Sequence, residues 1–113
     1  MPVIDHFRAV PRRPTSLSAR LELIPEGRVL TAELVNLGIA GACVTALTVV
    51  EVSASVRLHI EAPQLWEPLI MPGTVTWSRP ATQGGVRLGI HFQPDSAATL
   101  TVLTELVGYN GYL

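Results

Sequence analysis

Apolar and polar residues alternate with a period of two through much of the chain. Leu17, Ala19, Leu21 and Leu23 are separated by Ser18, Arg20 and Glu22, and Ala54, Val56, Leu58 and Ile60 by Ser55, Arg57 and His59. Val75 and Trp77 lie between Thr74, Thr76 and Ser78, and Val86, Leu88, Ile90 and Phe92 enclose Arg87, Gly89 and His91. On a strand this pattern sends one set of side chains to a core and the other to solvent. A helix would repeat its apolar residues every three or four positions, and these segments do not. Residues 29–36 and 41–49 are more continuously apolar and rich in Val and Thr, which predicts two further strands. Turn residues separate the segments: Pro25-Glu26-Gly27, then Gly38 and Gly41 bracketing a second turn, then Ala81-Thr82-Gln83-Gly84-Gly85. They are expected to supply positive φ, or the preset φ of proline. Residues 62–68 read as a longer loop carrying Trp66. After Phe92 the period changes. Pro94-Asp95-Ser96 is a helix-start signal, with Asp95 or Ser96 as N-cap, and Leu100, Leu103, Leu106 and Val107 form one helical stripe ending at Gly108. The expectation is an all-β domain of six short antiparallel strands, barrel or sandwich, with one C-terminal helix over an open end or side.

The first sixteen residues do not share this pattern. They hold Pro2, Pro11, Pro14 and three arginines, and read as a flexible N-terminal arm. The expected organisation is therefore an arm at 1–16, a single barrel domain with its helix at 17–108, and a tail at 109–113. At 113 residues one domain is expected, and hydrophobic residues at 48% exclude global disorder. The longest uncharged run, Leu34 to Val50, is 17 residues and is broken by Asn36, Gly38 and Gly41. That is shorter than the roughly 20 apolar residues of a spanning helix, so it reads as buried strands. No apolar leader follows Met1, and the single cysteine, Cys43, makes no internal disulfide, so a cytoplasmic location without membrane insertion is expected.

Charge sharpens the reading. The formal net charge is -1, and all eight basic residues are arginine. A near-neutral balance argues against a DNA-binding surface, and 5% aromatic content against an oligonucleotide-binding barrel. Catalytic chemistry finds no support: there is no nucleophile elbow, zinc-protease helix or phosphate loop. His6, His59 and His91 lack metal-ligand spacing, although His59 and His91 could be neighbours on one sheet face. Cys43, in an apolar strand, reads as a small core residue. The sequence predicts no enzyme, no metal and no cofactor. Trp77 reads as core or barrel surface and Trp66 as a partner contact. Arg87 reads as outward charge that could help hold a phosphate.

Two short stretches carry more. Arg8-Ala9-Val10-Pro11-Arg12, followed by Arg13, precedes the first strand; Asn36-Leu37-Gly38-Ile39-Ala40-Gly41 lies between two predicted strands. Their order resembles the PilZ domain family, whose members bind cyclic di-GMP through an RxxxR motif and a [D/N]xSxxG motif about two dozen residues later. Arg8 and Arg12 fill the first motif, and Asn36 and Gly41 the ends of the second. Gly73-Thr74-Val75-Thr76-Trp77 and Leu88-Gly89-Ile90-His91-Phe92 are similar to the family's last two strands, so the resemblance covers most of the chain. It implies a PilZ-like six-stranded antiparallel barrel with a C-terminal helix. It also implies a ligand-binding set of Arg8, Arg12, Arg13, Asn36, Gly38 and Gly41, with cyclic di-GMP as ligand and an unidentified effector protein as partner. Arginine suits this ligand because it donates two parallel hydrogen bonds to a guanine edge and stacks on a base or grips a phosphate. The departure is Gly38, where the motif has serine; the lost hydroxyl is worth about 0.5–1.5 kcal/mol. Weakened binding is therefore expected, and a PilZ-fold interaction module that has lost the nucleotide stays open as the alternative.

Overall fold

The computed structural model describes residues 17–63, 65–82 and 84–109, together with the backbone of residues 13–14. Its elements are β1 (Arg13–Pro14), β2 (Ser18–Leu23), β3 (Val29–Leu37), β4 (Gly41–Ala46), β5 (Ser55–Glu61), β6 (Leu69–Pro80), β7 (Val86–Phe92) and α1 (Ala97–Tyr109). Every strand pairing is antiparallel. The order β3-β2-β5-β6-β7-β4 returns on itself through a β3–β4 pairing, so six strands close into a barrel. The short β1 adds to β3 at Leu37 and Asn36, beyond the reach of β2, whose pairing with β3 ends at Glu33.

The period-two pattern does what it predicts. Leu21, Leu34, Leu58, Ile60, Met71 and Leu88 point inward and are fully buried. Each such side chain contributes on the order of 1.5–3 kcal/mol relative to exposure. The helix begins as its sequence indicates: the Ser96 Oγ accepts the Thr99 N–H at 3.1 Å, the N-cap bond to the third helical residue. The Thr99 hydroxyl donates in turn to Asp95 Oδ1 at 3.1 Å. Leu103, Leu106 and Val107 are buried against the barrel, whereas Leu100 stays 38% exposed, so the buried stripe is narrower than the sequence suggests. Gly108 does not stop the helix, which runs on to Tyr109.

Three local expectations are corrected. First, β4 ends at Ala46, and Leu47 and Val49 lie 88% and 71% exposed in the following loop. Second, β6 starts at Leu69, well before Thr74, although Pro72 and Gly73 look like strand breakers. Pro72 is tolerated because its carbonyl accepts the Gln93 N–H at 2.8 Å, just past the end of β7. A strand residue's N–H and C=O point to the same side, so the missing proline donor falls where no strand partner follows. Third, positive φ is confined to Gly27, Gly84 and Gly85 among the described glycines. Gly38 and Gly41 close their turn without it, the Gly38 N–H donating to the Gly41 carbonyl at 2.9 Å. Among the described residues, no helix is long and apolar enough to cross a membrane.

Candidate functional site

Two β-bulges shape one outer face of the barrel. In β3 the register against β4 slips between Leu34 and Asn36, so Val35 is the extra residue. Leu34 and Leu37 are both buried, although they stand three apart, a spacing plain alternation cannot give. The bulge absorbs the odd residue and turns Asn36 outward, where two residues after Leu34 it would otherwise face the core. In β6 the register against β7 slips between Val75 and Trp77. Val75 is fully buried, and Trp77, expected on the same face, is turned to the outside. Sequence alternation misses this second bulge because Thr74 to Ser78 alternates without a flaw.

The bulges align a row across five strands. Pro14 pairs with Asn36, Asn36 with Cys43, Cys43 with Gly89, and Gly89 with Trp77. Gly89 is the floor of this row: a Cβ there would run into the indole of Trp77. The guanidinium of Arg79 sits 4.6 Å from the centroid of that indole, a cation–π contact. In the next row Thr45 pairs with Arg87 and Arg87 lies directly opposite Arg79. Among the described residues no carboxylate is within ion-pair distance of either arginine. Like charges opposite one another on a sheet are destabilising. This face therefore keeps a local excess of positive charge on a chain of net charge -1.

The motif residues meet this face unequally. Asn36 is half-buried, and its Oδ1 is buried with no hydrogen-bond partner among the described residues. An unpaired buried acceptor costs about 1–3 kcal/mol, so the site is held at some expense of stability. Gly41 sits at the start of β4, opposite His91, where a Cβ would strike the Ile90 carbonyl. The close approach of β7 alone is enough to require glycine there. Gly38 is buried in the turn between them. The backbone of Arg13 pairs with Leu37, which brings one of the three arm arginines beside Asn36. Arg8 and Arg12 lie outside the described residues. Cys43 is buried, as expected, but on the outward side of β4, between the inward Ala42 and Val44. The sequence reading passed over Trp77 and Arg79 as members of the face. Glycine opposite tryptophan becomes a signal only once the β6–β7 register is known.

The histidines do not come together. His59 pairs across strands with Arg20 and Ile70, whereas His91 pairs with Gly41 and Thr74, two strands and several rows away. His59 hydrogen-bonds Glu22 at 3.1 Å, and Arg57 forms an ion pair with the same carboxylate at 3.3 Å. The His59 hydrogen bond, assisted by Arg57, holds the Glu22 carboxyl below the ordinary glutamate value of 4.5. Among the described residues, no group of three or more His, Cys, Asp and Glu side chains is placed to hold a metal ion.

Comparison with known proteins gives one consistent result. The model of the PilZ domain family matches residues 5–109. No curated protein sequence matches the chain. Among solved structures, the inhibitor of motility MotI/DgrA of Bacillus subtilis superposes with a TM-score of 0.71 at 13% identity, over 94% of this chain and 53% of that one. YcgR of Escherichia coli in complex with c-di-GMP superposes with a TM-score of 0.74 at 13% identity, over 91% of this chain and 45% of that one. The chain thus spans about half the length of these two proteins. The PilZ domain of CeSA from a cellulose-synthesizing bacterium superposes with a TM-score of 0.69 at 17% identity, over 90% of this chain and 99% of that one. At such identities the likeness is one of fold.

Proposed function

The chain belongs to the PilZ domain family, and from that premise we propose that it is a cytoplasmic receptor for cyclic di-GMP that passes the second-messenger level to a partner protein. It needs no catalysis or cofactor for this. The observation that carries the reading is the buried, unpartnered Oδ1 of Asn36, in one row with the Trp77–Gly89 platform. A guanine edge offers N–H donors, which is what an isolated acceptor lacks. Arg79 and Arg87 add the positive charge that a doubly anionic ligand requires. In this reading residues 1–16 form the arm, 17–108 the receptor domain and 109–113 a tail. Arg8, Arg12 and Arg13 clamp the ligand from the arm, and Asn36, Gly38 and Gly41 receive it on the barrel. YcgR, similar in fold, is known in complex with c-di-GMP. Ordering an arm costs roughly 1–2 kcal/mol of backbone entropy per residue, so a moderate affinity is expected.

Titration calorimetry with cyclic di-GMP tests the proposal. Heat of binding that disappears in Arg12→Ala, with the melting temperature unchanged, is the expected result. Absence of heat and of any thermal shift at high micromolar ligand would overturn it. One observation favours a second reading, an interaction module that has lost the nucleotide: Gly38 stands where the motif has serine. Gly38→Ser separates the two readings. A receptor gains about two- to tenfold in affinity, the worth of one neutral hydrogen bond, whereas a module that ignores the nucleotide gains nothing.

A further inference from the structure

Away from the bulged face, a second surface lies between α1 and the start of β6. Leu103, Leu106 and Val107 of the helix are buried in the barrel end. Ala98, Val102 and Glu105 stand four and three residues apart and share a neighbouring side. That side faces a groove of about 740 Å³ whose opposite wall includes Leu65, Pro68, Ile70 and Pro72. This volume is in the roughly 300–1,000 Å³ range of sites that enclose apolar groups. At its mouth Trp66 is fully exposed and Ile70 is 44% exposed. A tryptophan left wholly in water beside an apolar groove fits a binding hot spot better than a folding contact.

The rim is charged in one sense. Glu67, Asp95 and Glu105 border the groove, together with Arg57 as the single cation among the described residues. Arg57 is already neutralised by Glu22 at 3.3 Å. The three rim carboxylates have no cationic partner among the described residues; Asp95 accepts only the Thr99 hydroxyl.

We propose that this groove docks a segment of a partner protein whose apolar anchor side chains are flanked by lysine or arginine. The apolar walls take up the anchors, with Trp66 closing over them, and the rim carboxylates select the basic flanks. The same carboxylates repel an anionic lipid surface or a nucleic acid. The exposed apolar segment Leu47 to Val52 of a second copy is a poor occupant, because it carries Glu51 and no basic residue. The groove is lined by none of the motif residues, so this proposal stands whether or not the chain takes up a nucleotide.

Selection of random phage-displayed peptides on the full-length chain, without nucleotide, tests this directly. Enriched sequences are resynthesised and titrated by fluorescence anisotropy. They are expected to pair an aromatic residue or leucine with adjacent lysine or arginine. Trp66→Ala is expected to weaken them about thirtyfold, the scale of an interface hot spot. Glu67→Lys combined with Glu105→Lys is expected to weaken them about tenfold or more. All three positions are exposed, so the melting temperature stays unchanged. The proposal is overturned by a lack of enrichment, by enriched peptides without basic flanks, or by affinities indifferent to these substitutions. It is equally overturned if sedimentation shows the groove occupied by a second copy, or if anionic vesicles bind there. None of these results bears on the Arg12→Ala calorimetry.

Discussion

The two sides of the barrel wall use the same kind of strand and end in opposite conditions. On the β2–β5 side the register is unbroken and the outward polar groups find partners: Arg20 pairs with Glu61 at 3.6 Å, Arg57 pairs with Glu22 at 3.3 Å, and His59 hydrogen-bonds Glu22 at 3.1 Å. On the β3–β4–β7–β6 side the register slips twice. There an amide oxygen lacks a partner, two arginines face each other, and an indole lies on a glycine. The first side is satisfied by its own residues, whereas the second leaves such groups without partners among the described residues. Exposed ion pairs contribute little to stability, at about 0–1 kcal/mol each. The closed side is therefore better described as chemically quiet than as strongly held. The open side carries small, local costs that a ligand can relieve.

Substitutions can break this contrast. The largest effect is expected at Gly41→Ala, because the new Cβ meets the Ile90 backbone, which cannot rotate away. Urea denaturation should show a loss of about 3 kcal/mol, at the upper end of overpacking costs. A wild-type midpoint would mean that β4 and β7 are not in such close approach. Next, Asn36→Leu removes the unpaired oxygen while keeping the branching and the number of side-chain heavy atoms. Stability should rise by about 1 kcal/mol while the heat of nucleotide binding vanishes. A fall in stability would show that the oxygen has a partner after all. Arg87→Glu relieves the repulsion opposite Arg79 and should stabilise by about 0.5 kcal/mol while weakening uptake of a dianion. The smallest change belongs to the quiet side. Glu22 has a depressed carboxyl value in the fold, so its contribution is present at neutral pH and lost as pH falls below 4.5 and on through its folded value. Glu22→Gln should flatten that acid limb of the stability profile and leave nucleotide binding untouched.

How much of this could be read from the sequence follows from where the alternation holds. Leu21, Leu58, Leu88 and Ile90 were legible as core because their neighbours are polar and the period never slips. The helix was legible through Ser96 and the spacing of Leu103 and Leu106. The first half of β6 was hidden, since Pro72 and Gly73 are strand breakers anywhere except beside the end of a neighbouring strand. The bulges were the deeper loss. Leu34 and Leu37 betray the one in β3 by their spacing, but Thr74 to Ser78 gives no sign of the one in β6, because a bulge there is decided by its partner strand. Asn36 could therefore be named as a candidate from the family motif, while Trp77 could not be assigned its side. The role of Gly41 in strand packing depends on β7, some fifty residues further along, and lies beyond any local reading.

The closure of β4 on both β3 and β7 has one more consequence. Six strands close into a ring, yet β6 outruns both neighbours: Leu69 to Met71 pair with β5 alone and Trp77 to Pro80 with β7 alone, so short margins of β6 stay unpaired, as does the outer side of the two-residue β1. Many sheet proteins recruit peptides by letting them join as an extra strand, with backbone hydrogen bonds supplying the affinity. Here such templates are confined to stretches of three or four residues. Recognition on this wall therefore rests mainly on side chains, which makes its specificity a matter of a few replaceable residues on a wall that need not change.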